Sequence, residues 1–137
     1  PKARAAVEAC KTAGHRVALA TNPIFPAVAT ESRIRWAGLA PETFAWYTTY
    51  ENIGYCKPNP DYYREILRYL DCRAEDCLMV GNDVEEDMMA AQAAGLSVFL
   101  LTDCLLNRKE KDISSYPQGD FDALLAFVEE WGGEASL

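Results

Sequence analysis

The stretch LMVGNDVEEDMMAAQAAG (residues 78–95) joins a short apolar run to a helical pattern through a polar corner. The apolar run at residues 77–80 predicts a strand that is buried on both faces. Residues 84–94 predict a helix that ends at the following glycine. Asn82 and Asp83 fall between these two elements, at the carboxyl end of the strand. A buried strand followed by a polar corner and a helix is typical of a parallel sheet that is covered by helices.

The remainder of the chain repeats this alternation. Apolar or β-branched runs predict three further strands, and periodic apolar positions predict four further helices. The strands are expected at residues 17–20, 46–50 and 97–101, and the helices at residues 2–13, 26–37, 60–70 and 121–131. The predicted fold class is therefore α/β, a three-layer Rossmann-like parallel sheet with helices on both faces. The polar, turn-rich segment 107–120 is expected to be a surface excursion.

The composition describes one acidic domain. The chain has 137 residues, half of them hydrophobic, and a formal net charge of -8. One hydrophobic core is expected, and nucleic acid is an unfavourable partner for such a charge. No apolar run approaches the roughly 18 residues of a membrane span, so no membrane partner is expected. The five cysteines are odd in number and lie at no metal-binding spacing. We interpret them as reduced thiols and expect a cytoplasmic protein.

Two polar motifs precede the stretch at residues 78–95. Thr21 and Asn22 follow the first predicted strand and offer a hydroxyl and backbone N–H groups to a phosphoryl oxygen. Taken alone, these two residues are better explained by a simple turn before Pro23. Lys57 stands in the proline-rich loop YCKPNP, directly before a helix start. Its ammonium group either neutralises an anion at the sheet edge or is solvated.

The polar corner at residues 82–87, called the acidic corner below, has two interpretations. Oxygen ligands from Asn82, Asp83 and Asp87 suit Mg²⁺, which takes few protein carboxylates and keeps several waters. Alternatively, Asp83 caps the helix and the acidic residues that follow complement its positive N-terminal end. The second interpretation accounts for Glu85 and Glu86. It fits Asp83 and Asp87 less well, because these two adjoin a strand end.

Together, and in this order, the three motifs resemble those of the haloacid dehalogenase-like hydrolases. The second motif of that family is a strand that ends in Ser or Thr, matched by Thr21. The third is a lysine, often in a K-P-x-P setting, matched by Lys57. The fourth is a glycine followed by acidic metal ligands, matched by residues 81–87, and the A-x-x-A-G stretch at residues 91–95 is also typical. The resemblance extends from about residue 2 to residue 101.

This resemblance implies a Mg²⁺-dependent phosphatase that acts on a small phosphorylated metabolite. In the family, an aspartate forms an aspartyl-phosphate that water hydrolyses, and a second aspartate acts as general acid and base. The implied site residues are Thr21 and Lys57 for catalysis, Thr21, Asn22 and Lys57 for phosphate, and Asp83, Asn82 and Asp87 for the metal. Many relatives carry an acid where this chain has Asn82, so the direct metal ligand stays open among the last three.

The nucleophile motif of the family is D-x-D after an apolar strand, and it precedes the other three motifs. The D-x-D of this chain is Asp120-Phe121-Asp122, but residues 114–119 before it are not strand-like, and an aspartate there is a natural helix N-cap. We therefore expect the nucleophile strand, and any inserted cap domain, to lie upstream of Pro1. On this hypothesis residues 1–137 are a partial core domain that is inactive by itself.

The resemblance also places the nucleophile strand between the strands at residues 17–20 and 77–80. We expect its place to be filled in one of three ways. The segment is another chain or a disordered stretch, the two flanking strands close on each other, or a homo-oligomer exchanges strands.

Two alternative functions stay open. A phosphomutase with the same core shares all three motifs, and a non-catalytic structural or binding domain needs no nucleophile. A dehalogenase is disfavoured because it needs no Mg²⁺, which leaves the acidic corner without a purpose. The basic cluster at residues 108–111 is interpreted as a solvated loop. The substrate is not indicated, since specificity in the family lies in the cap and nearby loops.

Overall fold

The computed structural model describes residues 2–131. Its helices and strands alternate along the chain as an α/β protein requires. They are α1 (Lys2–Thr12), β1 (Ala18–Leu19), α2 (Ala27–Trp36), β2 (Trp46–Tyr47), α3 (Pro60–Leu70), β3 (Leu78–Gly81), a π-helical turn (Val84–Met89), α4 (Ala90–Ala93), β4 (Ser97–Leu101), β5 (Gln118–Gly119) and α5 (Phe121–Glu130). Short 3₁₀ turns lie at Pro41–Thr43 and Ala74–Asp76.

The strands form two parallel sheets. One sheet pairs β1 with β2, and the other has the order β3-β4-β5. Side chains of β4 alternate between the two faces of the larger sheet: Val98 and Leu100 join a cluster with α3 residues, whereas Phe99 joins one with α1 and α5 residues. This period of two shows that helices cover both faces. The predicted three-layer α/β fold is confirmed.

One strand was not expected. The segment at residues 107–120 was interpreted as a surface excursion, and nothing before Asp120 was judged strand-like. That interpretation is wrong at its end, because β5 (Gln118–Gly119) pairs in parallel with Leu100 and Leu101. A two-residue strand is built by backbone hydrogen bonds alone, and it therefore leaves no apolar pattern in the sequence.

A gap separates the two sheets. β1 and β3 pair outward and are not hydrogen-bonded to each other. Both strands line an apolar cavity of about 250 Å³, whose walls also include Ile66 of α3 and Leu124 of α5. The strands at residues 17–20 and 77–80 thus do not pair with each other, and side chains from helices on both faces line the space between them. Filling of the gap by another segment or by strand exchange stays a prediction.

The helix that carries the acidic corner begins with a π-helical turn. Asp83 is its N-cap: the carboxylate accepts hydrogen bonds from the backbone N–H groups of Glu85 and Glu86. The carbonyl of Asp83 accepts from the N–H groups of both Asp87 and Met88, at 2.9 and 3.2 Å. A π-helical turn adds one residue to the helix and is frequent at functional sites.

Among residues 2–131, no helix has the length and hydropathy that a membrane crossing requires.

Candidate phosphoryl-transfer site

Lys57 and Asp87 form a buried ion pair. Lys57 Nζ lies 2.6 Å from Asp87 Oδ1, and the two side chains are 10% and 6% exposed. The lysine comes from the loop before α3 and the aspartate from the π-helical turn, so the pair joins two of the motifs found in the sequence. A buried charge is retained only when it is paired and hydrogen-bonded. The pair therefore fixes the ammonium group at the carboxyl ends of the strands.

The second oxygen of Asp87 is bound to backbone. Asp87 Oδ2 accepts hydrogen bonds from the N–H groups of Asn82 and Asp83, each at 3.1 Å. The carboxylate approaches Gly81 so closely that a Cβ at that position would lie 2.6 Å from Asp87 Cβ. Gly81 is thus required by the carboxylate behind it. The motif glycine and the π-helical turn position Asp87, and Asp87 in turn positions Lys57.

Asn22 connects all three motifs. Its Oδ1 accepts from the backbone N–H of Lys57 at 2.8 Å, and its Nδ2 donates to Glu86 Oε2 at 3.3 Å. The sequence predicted Asn22 as a phosphate-binding residue. Its side-chain amide holds the loop of Lys57 against the acidic corner, and phosphate binding by Asn22 stays a prediction.

Thr21 is set by a network of hydroxyl groups. Thr48, fully buried at the end of β2, accepts from Thr21 N–H at 2.9 Å and donates to the Thr21 carbonyl at 2.6 Å. The two threonine hydroxyls lie 3.1 Å apart. Tyr62 also donates to the Thr21 carbonyl, and burial raises the pKa of Tyr62, which keeps it a neutral donor. Sequence reasoning missed Thr48, because a threonine in a strand carries no signal of such a role.

Asp83 faces a different partner. Its side chain is 7% exposed, and its Oδ2 accepts from Arg108 Nη1 at 2.7 Å. The neighbouring Lys109 pairs with Glu85 at 3.1 Å. The cluster at residues 108–111 was interpreted as a solvated loop. Both side chains are indeed 63% exposed, but their charged ends lie on the acidic corner. The backbone of the loop at Leu106 is hydrogen-bonded to Asn82 and Val84. Sequence spacing does not reveal this tertiary contact.

The three predicted metal ligands offer hard oxygen donors of unequal availability. Both oxygens of Asp87 are taken by Lys57 and by backbone N–H groups. Asp83 Oδ1 caps the helix, which leaves Asp83 Oδ2, shared with Arg108. Asn82 donates its Nδ2 to the Cys104 carbonyl at 2.7 Å, so its Oδ1 is a further oxygen at the same strand end. These oxygen donors are suited to Mg²⁺ and can supply some of the ligands that a magnesium site needs. Within residues 2–131, no cluster of three or more His, Cys, Asp or Glu side chains forms a complete one.

Asp120 of the D-x-D sequence is the N-cap of α5. Its carboxylate accepts from the N–H of Ala123 at 2.9 Å, at the start of α5. This is the role that the sequence predicted for it.

The fold and this site define a parallel α/β domain in which a lysine, a hydroxyl and carboxylates meet beyond the strand ends. A family model, the haloacid dehalogenase-like hydrolase, matches residues 1–95. The chain therefore belongs to the haloacid dehalogenase-like hydrolases.

Individual relatives agree with this assignment. The chain is similar to a glyceraldehyde 3-phosphate phosphatase of Methanothermobacter thermautotrophicus, with 38% identity over 64 residues, which are 47% of this chain and 28% of that protein. In fold it is similar to a predicted phosphoglycolate phosphatase from Haemophilus somnus, with TM-score 0.74, 22% identity, and coverage of 93% of this chain and 56% of that one. It is also similar to CbbY from Rhodobacter sphaeroides in complex with phosphate, with TM-score 0.68, 24% identity, and coverage of 100% and 57%. The chain thus spans little more than a quarter of the curated relative and somewhat over half of these two solved structures.

Proposed function

We propose that this chain is part of the catalytic core of a phosphatase that hydrolyses a small phosphorylated metabolite with the help of Mg²⁺. The observation that carries the proposal is the buried Lys57–Asp87 pair at 2.6 Å. A lysine with so little exposure would not be placed at a strand end for solubility, and its ammonium group is suited to an anion that approaches the same edge. The similarity to a glyceraldehyde 3-phosphate phosphatase supports a small phosphorylated substrate.

Each residue then has a role that follows from its contacts. Thr21, held by Thr48 and Tyr62, donates its hydroxyl to an oxygen of the phosphoryl group. Lys57 offsets negative charge on the phosphoryl group and on the attacking carboxylate. Asn22 and Asp87 hold Lys57 in place through its backbone and its side chain respectively. Asn22 therefore contributes to phosphate binding indirectly, by positioning Lys57.

The metal belongs to the Asn82 and Asp83 end of the site. When bound, Mg²⁺ supplies charge neutralisation and orientation at the phosphoryl oxygens. Asp83 would hold it through Oδ2, and Asn82 through its amide oxygen. Asp87 supports the site through Lys57, since both of its oxygens are already hydrogen-bonded.

The nucleophile is proposed to come from a segment outside residues 1–137. An aspartate at the end of a strand between β1 and β3 would lie beside the ends of both strands, where Thr21 and the acidic corner are. The apolar cavity between the sheets supports this placement, because a strand buried on both faces is apolar throughout. Residues 1–137 would then be a partial core domain, inactive alone and paired with that segment or with a second copy. Cys10, Cys56, Cys77 and Cys104 are free thiols, which supports a reducing, cytoplasmic location.

The test compares turnover by two proteins whose intact masses have been verified. The 137-residue chain and the product of the complete coding sequence are each assayed for hydrolysis of a generic aryl phosphate with Mg²⁺. We expect turnover by the longer product, loss of that turnover with EDTA and with Lys57→Ala, and none by the 137-residue chain. Lys11→Ala, an exposed lysine on α1, is the matched control. Metal-independent turnover that survives Lys57→Ala would contradict the proposed mechanism, and no turnover by the longer product would favour a non-catalytic domain.

A further inference from the structure

The acidic corner contains one carboxylate oxygen whose partner among the described residues is an exposed arginine side chain. Asp83 Oδ1 is fixed by two helix N–H groups, at 3.1 and 2.9 Å. Both oxygens of Asp87 are fixed by Lys57 and by two backbone N–H groups. Asp83 Oδ2 is bound by Arg108 alone among the residues that the structure describes, at 2.7 Å. The guanidinium group of Arg108 comes from a side chain that is 63% exposed.

The loop that carries Arg108 is attached to the strand end by its backbone. Leu106 N–H donates to the Asn82 carbonyl at 2.8 Å, and Val84 N–H donates to the Leu106 carbonyl at 3.0 Å. The side chain of Asn82 adds a third bond, to the Cys104 carbonyl at 2.7 Å. These bonds do not involve the Arg108 side chain. The guanidinium group can therefore leave Asp83 for solvent while the loop stays in place.

We propose that Arg108 and a divalent cation are alternative partners of Asp83 Oδ2, so that Arg108 sets the metal affinity of the site. The inference rests on the proposed metal role of Asp83. Two cations cannot share one carboxylate oxygen at contact distance without strong mutual repulsion. A guanidinium group that must first be displaced lowers the apparent affinity for the metal, as for any competing ligand. In the absence of metal, Arg108 keeps the buried carboxylate of Asp83 compensated.

The neighbouring Lys109 provides a matched control. It lies on the same loop, is equally exposed, and pairs with Glu85 at 3.1 Å instead of Asp83. Arg108→Gln and Lys109→Gln remove the same charge from adjacent positions. A general effect of charge on metal binding would appear in both variants, whereas competition for Asp83 Oδ2 would appear in the first alone.

The experiment uses Mn²⁺, which prefers the same oxygen ligands as Mg²⁺ and is paramagnetic. Mn²⁺ is titrated into the product of the complete coding sequence and its variants, with binding followed by electron paramagnetic resonance and the site located by broadening of backbone amide signals in nuclear magnetic resonance spectra. We expect Arg108→Gln to bind Mn²⁺ roughly twofold to fivefold more tightly than the unmodified chain, the gain that corresponds to release from an ion pair whose arginine is exposed. Lys109→Gln should change the dissociation constant much less. Asp83→Asn should weaken binding, and the broadened amides should centre on residues 82–86.

Four results would overturn the inference. They are equal or weaker binding by Arg108→Gln, an equal gain in Arg108→Gln and Lys109→Gln, broadening away from residues 82–86, and no binding by any variant at millimolar Mn²⁺. These outcomes are independent of the aryl phosphate assay. If the longer product shows turnover and one of these results is obtained, the role of Arg108 is refuted and the phosphatase proposal stands. If the longer product shows no turnover, the phosphatase proposal is refuted.

Discussion

The buried pair of Lys57 and Asp87 makes a quantitative prediction for stability. With side chains only 10% and 6% exposed, removal of one charge leaves the other buried without compensation, which typically costs about 3–5 kcal/mol. We expect Lys57→Met and Asp87→Asn each to lower the free energy of unfolding by about that amount. In the double variant neither charge remains, so the loss should fall short of the sum of the two single losses by at least about 2 kcal/mol.

This prediction is checked by a double-mutant cycle in urea, with unfolding followed by circular dichroism. The matched control is the pair of Arg4 and Glu8 on α1, whose side chains are 54% and 55% exposed at 3.1 Å. Alanine variants of that pair should show a coupling energy of no more than about 0.5 kcal/mol. Additive losses for Lys57→Met and Asp87→Asn, or a coupling no larger than that of the control pair, would refute the argument that burial makes this ion pair a structural anchor.

Three smaller perturbations test the parts around the site. Gly81→Ala should lower the free energy of unfolding by roughly 1–3 kcal/mol through overlap with the Asp87 carboxylate, whereas Gly54→Ala, whose nearest neighbour atom is 3.8 Å away, should stay within about 0.5 kcal/mol; equal effects in urea would contradict this. Burial raises the pKa of Tyr63, so its contribution to stability is complete below its ordinary pKa of about 10 and declines as the pH rises above that value; Tyr63→Phe should therefore lose less stability between about pH 9 and about pH 11 than the unmodified chain, and equal losses would be contrary evidence. Asn59→Ala should cost about 1 kcal/mol because the side chain caps α3, while Asn59→Asp should retain the cap, as thermal unfolding of both variants would show.

Much of the fold could be predicted from local sequence because it depends on periodicity and on helix ends. The Asn59 cap and Pro60 fix the start of α3, and the apolar run at Ser97–Leu101 gives β4 with its observed bounds. β5 could not be predicted, since its two residues pair through backbone atoms that every sequence possesses. The π-helical turn was likewise not indicated, because it depends on how Asp83 and Asp87 bind the same strand end.

In the candidate site, too, residues next to clear sequence elements could be predicted, whereas residues placed by tertiary contacts could not. Thr21, Lys57 and Asp83 follow or precede elements that the sequence marks clearly, so their positions could be expected. The sequence predicted Asp87 as a metal ligand, which stays a prediction; its observed contact with Lys57 is a tertiary one. Arg108 could not be identified, because a basic residue in a polar loop has no pattern that distinguishes a solvated side chain from one that reaches a carboxylate 25 residues earlier in the chain.

The measurement that tests the central claim most directly is the kcat/KM of aryl phosphate hydrolysis by the product of the complete coding sequence, with Mg²⁺, for Lys57→Met and Thr21→Ala against Lys11→Met. The account predicts a loss of about a hundredfold or more for Lys57→Met and a smaller but clear loss for Thr21→Ala. Lys11→Met, an exposed position on α1, should retain full activity, and circular dichroism should show that all three variants are folded. Folded Lys57→Met with undiminished kcat/KM would contradict the assignment of this site to phosphoryl transfer.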